Sequence, residues 1–119
     1  RIVSHATHAQ KPSLFATAPA PAIRQVVAKA GWTMSDVDLF EINEAFAVVT
    51  LLAMDELGLS HDVVNVNGGA CAMGHPIGAT GARIIVTLLH ALRRRGLKRG
   101  VAGLCIGGGE ATATAIEIL

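Results

Sequence analysis

Residues 67–81 read Asn-Gly-Gly-Ala-Cys-Ala-Met-Gly-His-Pro-Ile-Gly-Ala-Thr-Gly. One histidine, His75, stands among five glycines in that stretch. Glycine reaches backbone conformations and close approaches closed to other residues, at a larger entropy cost on ordering. So many of them around one titratable side chain suggest a backbone shaped to place it. The strand-like run Val63–Val66 precedes the stretch, and a helical pattern from about Gly78 to Arg95 follows it. A strand, a glycine-rich loop and a helix in succession are the signature of an α/β unit.

The rest of the chain extends that unit in both directions. Downstream, Ile84, Ile85, Leu88, Leu89 and Leu92 form the helix's apolar stripe. Val101–Ile106 reads as a fourth strand, Gly107–Gly109 as a hairpin turn and Ala111–Leu119 as a fifth strand. Upstream, Ala45–Leu57 is apolar almost all round, so a largely buried helix is expected. Val37–Ile42 alternates apolar and acidic residues and reads as a strand. Pro21 can open an earlier helix whose face is Ile23, Val26, Val27 and Ala30. Lys11–Pro21 is an irregular connection after an opening strand, Arg1–Thr7. The order is β-α-β-α-β-α-β-β over one domain, residues 1–119. It predicts an α/β fold with a five-stranded mixed sheet, mostly parallel, and helices on both faces.

Composition narrows the function classes. The chain is 51% hydrophobic, 16% charged and 3% aromatic, which fits a tightly packed core of small aliphatic residues and not a disordered segment. A net charge of +1 supplies no footprint for nucleic acid. The longest apolar run, Ala45–Met54, is too short to span a bilayer, so no membrane partner is expected. The chain opens directly in a strand with no leader-like stretch, as a part of a longer polypeptide would. Cys71 and Cys105 make no disulfide framework, so a reducing, cytoplasmic setting is the simplest reading. His5 and His8 lack a nearby third ligand, so no metal site is expected. Arg93–Arg95 reads as a solvated helix end in a favourable dipole position.

Three polar features fall at the carboxyl ends of strands, where open α/β sheets form their sites. They are Asn43-Glu44, His75 and Cys105. A converging His and Cys make an acid/base pair, or a nucleophile with its base. Taken singly, each also has a bland reading, a polar loop histidine or a small buried thiol. The latter is the reading for Cys71, between Ala70 and Ala72. From spacing alone, a Cys/His site in an α/β domain is the extent of the inference.

Three stretches together carry it further. Asn43-Glu44-Ala45-Phe46-Ala47 resembles the N-E-A-F-A motif of thiolases. Asn67 to Arg83 resembles their signature around G-G-A-x-x-x-G-H-P-x-G-x-[ST]-G-A-R, and Cys105–Gly109 resembles their C-x-G-G-G. The run Phe15–Ala22 resembles the T-x-P-x-P-A segment after the family's first strand. These motifs come in the family's order and span nearly the whole chain, which is similar to the C-terminal domain of acetyl-CoA acetyltransferases. The resemblance implies half of an acyltransferase, inactive alone. The whole enzyme catalyses Claisen condensation of acetyl-CoA, or thiolysis of 3-ketoacyl-CoA, through a ping-pong acyl-enzyme. The nucleophilic cysteine and most coenzyme A contacts lie in an N-terminal domain, the expected partner. No cofactor is implied beyond the coenzyme A thioester substrates, and the full-length protein is expected to be a homodimer or homotetramer.

The resemblance also implies roles. His75 would activate the nucleophilic thiol and help hold the thioester oxygen, together with a water positioned by Asn43. Cys105 would be the second acid/base, the Gly107 amide an oxyanion donor, and Ala45 and Phe46 the lining of the pantetheine tunnel. The chain departs from the family at Phe15, where Met is frequent near the acyl pocket, at Ala16 and Ala18 in place of glycines, and at Glu110 in place of an uncharged residue. A non-catalytic acyl-CoA or lipid-binding module is the alternative reading.

Overall fold

A computed structural model describes all residues, 1–119. Its elements are strands β1 (Ile2–Ala9), β2 (Leu39–Ile42), β3 (Arg99–Cys105) and β4 (Glu110–Glu117), with helices α1 (Pro19–Lys29), α2 (Ala47–Leu57), α3 (Ala70–Met73) and α4 (Thr80–Arg95). The strands form one sheet in the order β1-β4-β3-β2. β4 pairs antiparallel with β1 on one side and with β3 on the other, while β2 and β3 are parallel. Three strands therefore run one way and β4 alone runs back between two of them.

The sheet has four strands, not the five expected. Val63–Val66 is reduced to a single parallel bridge between Phe40 and Val64. The cause is Asn65, whose φ of 48° is left-handed and breaks the pleat. Its backbone N–H still donates to the Phe40 carbonyl at 2.9 Å. Its side-chain amide then does the work of a neighbouring strand. Oδ1 accepts from the Ile42 N–H and Nδ2 donates to the Ile42 carbonyl, both at 2.8 Å. The end of β2 is thus satisfied by side chains, Asn65 with Thr50, whose Oγ1 also donates to the Ile42 carbonyl at 3.2 Å, and the ladder goes no further.

Helices cover both faces. Ile23, Val26 and Val27 of α1 are buried against β1, β3 and β4, with Phe40, Val64 and Val101 in the same cluster. A fully buried Ile or Val contributes about 1.5–3 kcal/mol, so this face alone fixes α1. Ile84, Leu88, Ala91 and Leu92 of α4 pack on the opposite face against Leu39, Ala102 and Ile116. Ile85 and Leu89, also expected in that stripe, are only half-buried. α1 starts at Pro19, two residues before Pro21, because Pro19 suits a first helical position equally well. The connection before it is a 3₁₀ turn, Pro12–Thr17.

α2 corrects a second expectation. It begins at Ala47, since Phe46 is still extended, and only Val49, Thr50 and Ala53 are buried. Phe46, Val48 and Leu51 are 62%, 50% and 57% exposed. The helix is apolar all round, yet this chain covers one side of it only. No helix is long and apolar enough to cross a membrane.

Candidate active site

β2 and β3 are parallel neighbours, so Asn43 and Cys105 emerge at the same edge of the sheet. The turn after β3 brings Gly107 there, and the 3₁₀ turn after β1 brings Phe15. A cavity of about 470 Å³ opens at that edge. Phe15, Ala45, Phe46, Ile77, Leu104 and Ile106 form its walls, and His75, Cys105 and Gly107 supply its polar groups. The Phe15 and Phe46 rings meet edge-on, 6.2 Å between centroids. Of the residues picked out in the sequence, His75, Cys105, Gly107, Ala45 and Phe46 thus share one cavity. Asn43 is wholly buried and reaches it only through His75, its Nδ2 lying 3.5 Å from His75 Nδ1.

The glycine-rich stretch places His75 in steps. Glu44 Oε2 accepts from the Cys71 N–H at 2.8 Å, at the start of α3. Negative charge at that position suits a helix start. A side chain on Gly69 would overlap the Glu44 carboxyl group where it now sits, so any other residue there would have to displace that carboxylate from the Cys71 N–H. The chain leaves α3 and reaches His75, whose Nδ1 lies 2.7 Å from Thr80 Oγ1 in the first turn of α4. The same hydroxyl lies 2.9 Å from the Pro76 carbonyl, and Thr80 is fully buried. At the other side of the cavity, Gly107 has a φ of +94°, which a residue with a side chain rarely adopts. It lines the cavity with no side chain to fill it.

The two thiols differ from the sequence reading in one case. Cys105 is buried, and burial pushes its thiol above the ordinary range, partly offset by a backbone hydrogen bond. Such a group rests as a thiol, and its thiolate is a stronger base once formed. Cys71 was expected to be a small buried hydrophobe. It is exposed, because α3 is a single turn whose outer side carries it. A hydrogen bond to Glu44 raises its pKa.

Three polar side chains went unremarked in the sequence as site residues: Thr80, Glu41 and Arg83. Arg83 of α4 donates from one terminal nitrogen to Asn43 Oδ1 at 3.4 Å, and places the other 3.5 Å from Glu41 Oε2. Glu41 is one of the acidic residues in the alternating run Val37–Ile42. All four residues of β2 are buried, because helices cover both faces of the sheet. Burial pushes the Glu41 carboxyl up to about 7, against the pull of Arg83 and with a further push from Glu44. The signal available beforehand was an acid in a strand flanked by helices, with an arginine closing the glycine signature. No group of three or more His, Cys, Asp or Glu side chains converges as metal ligands.

Residues 1–118 match the family described as thiolase, C-terminal domain. The chain is 57% identical over 117 residues to the cytosolic acetyl-CoA acetyltransferase of Mus musculus, covering 98% of this chain and 30% of that protein. It is 50% identical over its full length to the acetyl-CoA acetyltransferase of Rhizobium meliloti, again 30% of that protein. The crystal structure of the Bacillus anthracis acetyl-CoA acetyltransferase superposes with a TM-score of 0.97 at 50% identity, over 100% of this chain and 30% of the other. The chain thus spans under a third of the length of these relatives.

Proposed function

This chain belongs to the thiolase family as its C-terminal domain, and on that premise we propose that it supplies the acid/base half of an acetyl-CoA acetyltransferase. The observation that carries the reading is the convergence of His75, from the glycine-rich loop, with Cys105 and Gly107, from the end of β3 and its turn, on one apolar cavity at the sheet's carboxyl edge. In this reading the nucleophilic cysteine comes from an N-terminal thiolase domain, which also makes most contacts to the coenzyme A thioester. No other cofactor takes part.

His75 takes the proton of that cysteine, and the thiolate adds to the acyl-CoA carbonyl. The developing oxyanion is held by the His75 ring N–H with a water on Asn43. Collapse expels coenzyme A, whose sulfur takes its proton from the Cys105 thiol as it leaves, and an acyl-enzyme remains. Cys105, as thiolate, then removes the α-proton of acetyl-CoA. The carbanion attacks the acyl-enzyme carbonyl, and the C–C bond forms as the enzyme's C–S bond breaks. Thiolysis runs the steps in reverse, with Cys105 as the proton donor. Its raised pKa supports both tasks, a resting thiol to give a proton and a strong base once ionised. The Gly107 amide, fixed before charge develops, serves the second oxyanion; loss of one such donor typically costs about 3 kcal/mol. Ala45 and Phe46 line the way in for the pantetheine arm.

The exposed apolar side of α2 and the exposed Ile77 and Ile106 suit burial by the partner domain. We place the assembled enzyme in the cytoplasm, as a homodimer or homotetramer. The test is acetoacetyl-CoA thiolysis by the polypeptide that joins this domain to its nucleophile-bearing half. His75→Ala and Cys105→Ala should each abolish measurable turnover while coenzyme A thioester binding persists. Turnover near wild type in either variant would overturn the reading and favour a module that only binds acyl-CoA.

A further inference from the structure

Beside His75 lies a buried polar chain that the acid/base roles leave unused. Glu41 is 1% exposed, and neither of its carboxylate oxygens receives a hydrogen bond. One terminal nitrogen of Arg83 lies 3.5 Å from Glu41 Oε2, and the other donates to Asn43 Oδ1 at 3.4 Å. The Arg83 Nε and the nitrogen facing Glu41 make no hydrogen bond. Asn43 Nδ2 is then left on the His75 side, 3.5 Å from Nδ1.

A primary amide has two ends of nearly equal shape and opposite hydrogen-bonding character. Which end faces the site decides whether Asn43 offers a donor or an acceptor there. Arginine carries donors only, so of the two ends only Oδ1 can accept from it, and this fixes Nδ2 as the end turned to His75. A guanidinium buried for that task requires a counter-charge. Glu41 is the only carboxylate with which it pairs. Fold stability does not account for the pair, since a buried ion pair without additional hydrogen bonds is often replaceable by apolar groups at no loss.

We propose that Arg83 is a positioning residue that locks the orientation of the Asn43 amide, and that Glu41 is the buried counter-charge that holds Arg83 in place. The assignment rests on the thiolase reading, because Asn43 has a task in the reaction only there. Asn43 touches His75 directly, whereas Arg83 acts through Asn43.

The experiment is a double-mutant cycle on acetoacetyl-CoA thiolysis in the complete two-domain enzyme, with kcat and KM measured separately. Arg83→Met is expected to lower kcat by up to about 100-fold, the scale of a misplaced catalytic group, with KM unchanged. Asn43→Ala combined with Arg83→Met should be no slower than Asn43→Ala alone. Since Arg83→Met leaves Glu41 unpaired and can unfold the domain, Glu41→Gln with Arg83→Met removes both charges. That pair should melt near wild type and remain as slow as a correctly folded Arg83→Met enzyme. Additive losses, or recovery of wild-type kcat in the charge-free pair, overturn the proposal. If Asn43→Ala is slow but Arg83→Met is not, the proposal falls and the thiolase reading stands. If Asn43→Ala leaves kcat unchanged, the role given to Asn43 falls and this proposal with it.

Discussion

Thr80 Oγ1 stands 2.7 Å from His75 Nδ1 and 2.9 Å from the Pro76 carbonyl. A hydroxyl has one proton and two lone pairs. When it donates to Pro76 it accepts from Nδ1–H, which leaves Nε2 bare to act as a base. When it rotates to donate to Nδ1, it joins Asn43 Nδ2 in serving the tautomer whose Nε2 carries the proton. The first arrangement serves the proposed chemistry, in which Nδ1–H stays on Thr80 while Nε2 takes up and returns the proton. Thr80→Val should lower kcat for thiolysis about tenfold, the worth of roughly one hydrogen bond, and Thr80→Ser should restore it. Equal activity of the valine variant would show that the hydroxyl has no part in orienting His75.

Glu41 ties the site to stability. Its carboxyl is pushed up to about 7 by burial, with Arg83 opposing and Glu44 adding to the shift, from an ordinary value of 4.5. The folded domain therefore holds this proton more tightly than the unfolded chain does. The associated stability is fully present below pH 4.5 and is lost as pH rises through about 7. The span amounts to about 3 kcal/mol at most. Urea unfolding of the complete enzyme's C-terminal domain across that window should show stability falling with pH in the wild type, and a flatter profile in Glu41→Gln. An unchanged slope in the variant would assign the pH dependence elsewhere.

Much of this was legible in the chain. β2, β3, β4 and much of the α4 stripe declare themselves through periodicity, Cys105 through its place at a strand end and His75 through the glycines around it. The missing fifth strand was not legible. Val63–Val66 has a strand's composition, and only the contact between Asn65 and Ile42 ends it. Glu41 was hidden for a related reason, since alternation reports one covered face and this sheet has two. The exposure of α2 was hidden because apolarity signals burial without saying which molecule provides it. Thr80 and Arg83 stand on a helix beyond the glycine loop, and only the folding of that loop brings them to His75 and Asn43.

Glu44 links the glycine loop to the exposed thiol. It accepts from the Cys71 N–H and raises the Cys71 pKa, chiefly through a hydrogen bond to the thiol. The thiolate is the reactive form toward alkylating agents. Glu44→Gln removes the charge and should accelerate iodoacetamide labelling of Cys71 near neutral pH, measured by mass spectrometry. Cys105 should remain slow in both proteins, being buried. Labelling of Cys71 at the wild-type rate in Glu44→Gln would mean that the carboxylate does not govern this thiol.

The apolar side of α2 makes a prediction about the domain by itself. Phe46, just before the helix, and Val48 and Leu51, three residues apart on it, are at least half exposed. Exposed apolar surface of this kind marks an interface. Each buried Leu or Val side chain is worth about 1.5–3 kcal/mol once covered. The isolated domain should therefore self-associate in sedimentation velocity runs, and the nucleophile-bearing half should disperse it into a defined complex. Leu51→Asp should keep the isolated domain monomeric, since the core residues of α2 are Val49, Thr50 and Ala53 and are untouched. In the assembled enzyme the same substitution should lower the melting temperature by burying an unpaired carboxylate. An isolated wild-type domain that stays monomeric would leave this face without a partner and count against its burial in an assembled thiolase.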